Sequence, residues 1–193
     1  DIREPQGNLV VDIGGGTTEI GVVSLGGLVL SKSIRTAGDK IDQGIINYVR
    51  KKYNLLIGER VAEDIKINIG TAVALEENLT MIVNGRDQVE GLLSSVELTS
   101  EDARDAMKEP LVEIAEALRD VLERMPPDLA GDIVNNGIIL TGGGALIRQL
   151  DIYLSAIVRI PVFVADEPLL AVARGTGRAL EEIDLLQELF DNE

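Results

Sequence analysis

The chain has 193 residues, long enough to bury a core as one medium domain or two small ones. Apolar residues make up 45% and charged residues 26%, and cysteine, histidine and tryptophan are absent. Disulfides, Cys/His zinc sites, thiol nucleophiles and Ser-His-Asp triads are therefore excluded, which leaves carboxylates, hydroxyls, lysine and backbone amides, a set suited to Mg²⁺ and phosphate.

The net charge of −15 disfavours nucleic acid as a partner. The charge is uneven: residues 39–70 carry six basic and five acidic side chains, and residues 99–193 carry eight and nineteen. An anionic ligand meets least repulsion in the first of these blocks. No apolar run approaches the ~20 residues of a membrane span, and no signal peptide is visible. The opening Asp1–Gly7 reads as a connecting segment, so the chain is expected to be a piece of a longer protein.

Asn8 to Ile13 is a short apolar run and predicts a buried strand, broken by Gly14-Gly15-Gly16. Thr17 to Ser24 predicts a second strand, Leu25-Gly26-Gly27 a tight turn, and Leu28 to Arg35 a third strand. Asp39 is a candidate N-cap for a helix over 40–53, where Ile41, Ile45, Tyr48 and Val49 share a face. A second helix is predicted from Gly58 to about Ile69, with Val61, Ile65 and Ile69 on one stripe. Strands are predicted over 79–85 and 92–98, joined by the loop Arg86 to Gly91. Thr99 or Ser100 then caps a long helix. Its Met107, Leu111, Ile114, Leu118, Val121 and Met125 fit a core stripe better than a coiled-coil seam, and Pro110 is expected to kink or split it. Pro126-Pro127 opens a short helix that stops at Gly137. The tail alternates: strand Ile138 to Thr141, helix 145–158, strand Pro161 to Ala165, then helices at about 169–182 and 184–190.

Two glycine loops carry the chemistry. Around Gly14-Gly15-Gly16-Thr17, between two strands, consecutive glycines let backbone N–H groups turn into an anion-binding nest, and Asp12 at the strand end can hold the hydration shell of Mg²⁺. A glycine-rich hairpin with Asp12 satisfying turn amides is the plainer alternative. Around Gly142-Gly143-Gly144-Ala145, the glycines are predicted between a strand and a helix N-terminus, a natural seat for a nucleotide. A tight strand–helix turn accounts for them equally well. Glu63 and Lys66 sit three apart on the second helix, off its core stripe. By themselves they are an ordinary surface ion pair.

The order strand–Asp-x-Gly-Gly-Gly-Thr–strand, inserted block, strand–Thr-Gly-Gly-Gly–helix resembles the actin/Hsp70/sugar-kinase ATPases. Most closely it resembles the bacterial actins of the MreB family, through VVDIGGGTTEI, SIRTAGDKID, YNLLIGERVAEDIKINIG, GIILTGGGALIRQLD and DEPLLAVARGTGRALE. The Gly-Glu-Arg-x-Ala-Glu stretch at 58–63 discriminates best, and the Arg86–Gly91 loop is short for the family.

The resemblance implies an α/β actin-like (RNase H-like) domain: a mixed five-stranded sheet flanked by helices, from 1–38 and 99–193, with 39–98 inserted as a small α+β subdomain. It implies ATP or ADP with Mg²⁺ in a cleft between two large domains. Gly14, Gly15, Gly16 and Thr17 would take the phosphates, and Asp12 would support the metal. Glu63 and Lys66 would bound the adenosine, with Gly142, Gly143, Gly144 and Ala145 on its other side. Thr17 would orient the attacking water. The family's first phosphate loop and hydrolytic glutamate have no counterpart here, so the chain alone is expected to be inactive as an ATPase.

The whole protein is expected to be a cytoplasmic cytoskeletal ATPase. It would self-assemble into filaments, associate with the membrane through its other half or an adaptor, and direct rod-shape maintenance and cell-wall synthesis. Two alternatives stand beside this. One is an interaction module docking a membrane-anchored adaptor of the RodZ type. The other is a different member of the superfamily, such as a cell-division or plasmid-segregation actin or a sugar kinase.

Overall fold

The structure, a computed structural model, describes residues 6–181. Strands β1 (Asn8–Ile13), β2 (Thr18–Ser24) and β3 (Gly27–Ile34) form an antiparallel meander. The β2–β3 turn places both Leu25 (φ 52°) and Gly26 (φ 77°) in the left-handed region, the geometry that matches strand twist in a two-residue hairpin. Strands β7 (Ile138–Thr141) and β8 (Val162–Val164) extend the sheet on the other side of β1, parallel to it, in the order β3-β2-β1-β7-β8. The mixed five-stranded sheet flanked by helices is the expected α/β architecture.

Between β3 and α3 (Ser100–Arg124) lie α1 (Gly38–Tyr53), β4 (Leu55–Leu56), α2 (Glu59–Ile69), β5 (Thr80–Asp87) and β6 (Leu93–Thr99). Strands β4, β5 and β6 make a second, three-stranded sheet. Leu55-Leu56 falls in the gap between the helices predicted over 40–53 and from Gly58. Two residues are too few to show an alternation, and pairing with Arg86 and Asp87 is what makes them a strand. The first hairpin strand runs further into the turn than 79–85 suggests, to Asp87, because pairing continues to Arg86↔Leu93 and on to Leu55, while the second is shifted by one residue from 92–98 to Leu93–Thr99.

One apolar cluster runs through the whole assembly. Leu9, Val11 and Ile13 alternate into it from β1, and Ile41, Ile45 and Val49 enter from α1. Met107, Leu111, Ile114, Leu118, Val121 and Met125 of α3 are all buried in it, so the seven-residue spacing serves this chain's own core. Pro110 does not split α3, which continues unbroken to Arg124. Proline frees the carbonyl four residues earlier, that of Ala106. This carbonyl faces Gly44 of α1, where a Cβ would lie only 2.7 Å from it. The missing side chain lets the two helices meet at the proline.

The remaining elements are α4 (Pro127–Asn136), a single turn of 3₁₀ helix at Gly143–Leu146, α5 (Leu150–Val158), a second such turn at Pro168–Leu170 and α6 (Ala171–Glu181). The expected helix 145–158 is thus broken. Gln149 adopts φ 58°, which ends the first turn and restarts the chain as α5. The expected helix at 184–190 lies outside the described residues.

A cleft between two glycine loops

Parallel pairing of β1 with β7 puts Asp12 opposite Thr141. The first glycine loop leaves β1 and the second leaves β7 at the same end of the sheet, side by side. The carboxyl end of adjacent parallel strands is where open α/β sheets bind ligands. Between the loops is a cleft of about 530 Å³.

The first loop closes on itself through Gly14 N–H donating to the Thr17 carbonyl at 3.0 Å. Its carbonyls face α1: Gly14 O accepts from Gly38 N at 3.1 Å and Gly15 O from Asp39 N at 2.8 Å. The loop backbone therefore caps α1, whose N-cap residue is Ala37 with no side-chain bond. Asp39, expected as the cap, is instead a residue of the first turn, and its carboxylate stands beside Gly15 and Gly16. Cβ atoms built on those glycines would lie 3.5 and 3.9 Å from its oxygens. With the carbonyls turned toward the helix, Gly15, Gly16 and Thr17 are exposed. Their N–H groups donate to no acceptor among the described residues. Such a row of free donors is an anion nest.

The second loop is shaped by contact with β1. Gly142 has φ 80°, and a Cβ there would lie 2.4 Å from Ile13 O and 2.5 Å from Asp12 Oδ1. A Cβ on Gly144 would lie 2.2 Å from Ile13 Cγ2. These two glycines let the loops touch, while exposed Gly143 and buried Gly144 line the cleft. Ala145 is buried in the core. Because a 3₁₀ turn follows the loop, no α-helix N-terminus points into the cleft from this side. The helix end that does border it is that of α1.

Glu63 and Lys66 both line the cleft, but they are not a pair. Lys66 Nζ donates to Asp42 Oδ2 of α1 at 2.8 Å, with the two side chains only 15% and 14% exposed. Packing of α2 on α1 thus converts an expected surface pair into a shielded interhelical one. The second oxygen, Asp42 Oδ1, is buried without a partner among the described residues. Burial raises the Asp42 carboxyl above its usual range, Lys66 draws it back, and Glu63 and Asp39 raise it again. Asp39 and Asp42 were not anticipated as site residues. Their spacing on α1 was the available signal: one turn apart, they share a face.

Asp12 also has a buried oxygen with no partner, Oδ1, lying against Gly142. Burial, with help from Glu19, raises its carboxyl. Among the described residues no cluster of three acidic side chains is arranged for a metal ion. The donor set therefore fits only the mode in which Mg²⁺ keeps its waters and takes one carboxylate together with ligand oxygens.

The lining changes character across the cleft. The loop and α1 contribute Gly14, Gly15, Gly38 and Asp39, whereas Ile67, Leu146, Ile147 and Leu169 contribute apolar surface. The arrangement can take a ligand that is anionic at one end and flat and apolar at the other. A second concavity of about 460 Å³, between the C-terminal ends of α3 and α5, is lined by Arg119, Leu122, Glu123 and Ala156–Arg159.

The model of the family described as MreB/Mbl protein matches residues 1–188. The chain belongs to the MreB/Mbl family. It is 50% identical over 184 residues to the cell shape-determining protein MreB of Escherichia coli K12, covering 95% of the chain and 53% of that protein. It is 47% identical over 186 residues to Mbl of Bacillus subtilis 168, covering 96% and 56%. The chain spans about half the length of the curated relatives it matches.

Among solved structures, MreB5 of Spiroplasma citri bound to AMPPNP superposes with a TM-score of 0.93 at 40% identity, over 97% of this chain and 56% of that one. The same protein bound to ADP gives the same score. A MamK double helical filament, at 24% identity and a TM-score of 0.77, shares the actin-like fold. Among the described residues no helix is long and apolar enough to cross a membrane.

Proposed function

We propose that the cleft binds an adenine nucleotide with Mg²⁺, and that the chain is the second nucleotide-binding half of a filament-forming, cell shape-determining actin. The observation that carries this reading is the graded cleft: free loop amides at one end and an apolar slot at the other, on a chain whose relative MreB5 is bound to AMPPNP and to ADP in its structures.

In this reading the N–H groups of Gly15, Gly16 and Thr17 hold the β- and γ-phosphates, and Gly14 shapes their loop. Gly143 and Gly144 give the ribose and base close access to the second loop, with Gly142 and Ala145 supporting it from beneath. Glu63 and Lys66 border the ribose and base. Asp12 would hold Mg²⁺ through water. The metal, when bound, offsets phosphate charge; Asp39, Asp42 and Glu63 against Lys66 leave the lining acidic, so that offset is needed. Thr17, exposed at the loop edge, would orient the attacking water.

The whole protein is proposed to hydrolyse ATP, self-assemble, and serve cell-shape maintenance from a cytoplasmic, membrane-associated filament, with a RodZ-type adaptor as a further partner. Calorimetry tests the reading. The native full-length protein should bind Mg-ATP, while this chain alone should bind weakly and release no phosphate. Submicromolar binding or clear turnover by the chain alone would overturn the division of the site between two halves.

A further inference from the structure

The apolar lining of the cleft comes from α2 at Ile67, from Leu146–Ile147 after β7 and from Leu169 of the second 3₁₀ turn, and one side chain joins the first two. Arg148 directly follows the wall residue Ile147. Its Nη1 donates to the carbonyl of Ile67, itself a wall residue, at 2.8 Å, and to that of Gly70 at 3.4 Å. These carbonyls belong to the C-terminal end of α2, where the helix has no further N–H of its own to offer and where its dipole favours a cation. The carbonyls just before them, of Ile65 and Lys66, are taken by Gly70 N–H at 3.1 Å. Gly70 can do this only without a Cβ, which would lie 2.2 Å from Lys66 O. Among the described residues the one other side-chain hydrogen bond between the end of α2 and this segment is Thr71 Oγ1 donating to the carbonyl of Arg148 itself at 3.4 Å.

We propose that Arg148 is a positioning residue that sets the width of the nucleotide's base slot by holding the end of α2 against the second glycine loop. The inference rests on the nucleotide reading of the cleft. Arg148 does not line the cleft and is not asked to touch the ligand. Its backbone is tied separately: Thr71 bridges to it, and Ala72 N–H donates to its carbonyl at 2.9 Å. Loss of the side chain therefore leaves the chain path and the Lys66–Asp42 pair in place and loosens only the outer edge of the last turn of α2, at Ile67. The effect falls on the base end of the cleft, because the free amides at the phosphate end belong to a loop braced by α1.

The test uses the native full-length protein, a fluorescent methylanthraniloyl-ATP with Mg²⁺, and displacement by inorganic tripolyphosphate. Arg148→Ala should weaken the labelled nucleotide about tenfold, within what the loss of one charge-assisted hydrogen bond that braces the slot can transmit to the ligand. The inhibition constant of tripolyphosphate should stay unchanged. Arg148→Lys keeps a donor for the short bond to Ile67 O and should recover affinity to within about threefold. Equal affinity of wild type and Arg148→Ala overturns the inference while leaving the nucleotide reading intact. So does a parallel loss for tripolyphosphate, or an Arg148→Lys variant as weak as alanine. Failure of the wild type to bind the labelled nucleotide overturns the nucleotide reading itself.

Discussion

Replacing Lys66 by methionine separates the shielded pair seen in the structure from the exposed pair that its spacing to Glu63 suggests. The substitution keeps the aliphatic stem and removes the charge, leaving the Asp42 carboxylate between α1 and α2 with neither oxygen bonded. Breaking a fully buried pair in this way costs about 3–5 kcal/mol, and an exposed pair about 0–1 kcal/mol. With both side chains roughly 85% shielded, the expected loss is about 2–3 kcal/mol at pH 7.

The pH dependence has a definite sign. The folded Asp42 carboxyl already lies above its unfolded range through burial, and loss of Lys66 raises it further. A carboxyl raised on folding destabilises above its folded pKa, and the loss is relieved as pH falls through that pKa toward the unfolded value near ~4. Urea unfolding at pH 7 and pH 5 should therefore show Lys66→Met less impaired at pH 5, and Lys66→Met/Asp42→Asn should recover most of the stability. A loss below about 0.5 kcal/mol with no pH dependence would refute the pairing.

Gly142→Ala and Gly144→Ala should each destabilise by about 2–4 kcal/mol in denaturant melts, since both collide with Ile13 and Gly142 also needs its positive φ. Gly15→Ala meets nothing closer than an Asp39 oxygen at 3.5 Å. It should melt within about 1 kcal/mol of wild type yet weaken Mg-ATP binding by calorimetry. Asp102 caps α3 with Thr99 and accepts from Lys52 at 2.6 Å; burial pushes its carboxyl up, but these bonds and that of Tyr53 outweigh it and hold it at about 2. A lowered carboxyl stabilises above its unfolded pKa. Acid titration of stability should therefore show about 2 kcal/mol lost between pH 4 and pH 2, absent in Asp102→Asn.

Much of the candidate cleft's lining was legible because its residues act through local rules. Triple glycines after apolar strands mark backbone exposed for a ligand, wherever the strands lie. What brings the two loops together, the pairing of Asp12 with Thr141, is a contact between residues far apart in sequence and leaves no local trace. Asp39 was misread because an acidic residue before a helical stripe fits a cap, yet the carbonyls of Gly14 and Gly15 took that role. Lys66 reads as a surface charge paired with Glu63 because only the packing of α1 on α2 shields it against Asp42. Pro110 was expected to kink or split α3; the split does not occur, and Gly44 of the neighbouring helix leaves room for the freed carbonyl.

Photolabelling the native protein with 8-azido-ATP and Mg²⁺, followed by peptide mapping, tests the central claim most directly, because the reactive group sits on the base. The label should fall on peptides containing Ile67, Leu146–Ile147 or Leu169 and be displaced by unlabelled ATP. ATP-displaceable label confined to the concavity at Arg119–Glu123 and Ala156–Arg159, or label that ATP does not displace, would contradict the assignment of the cleft.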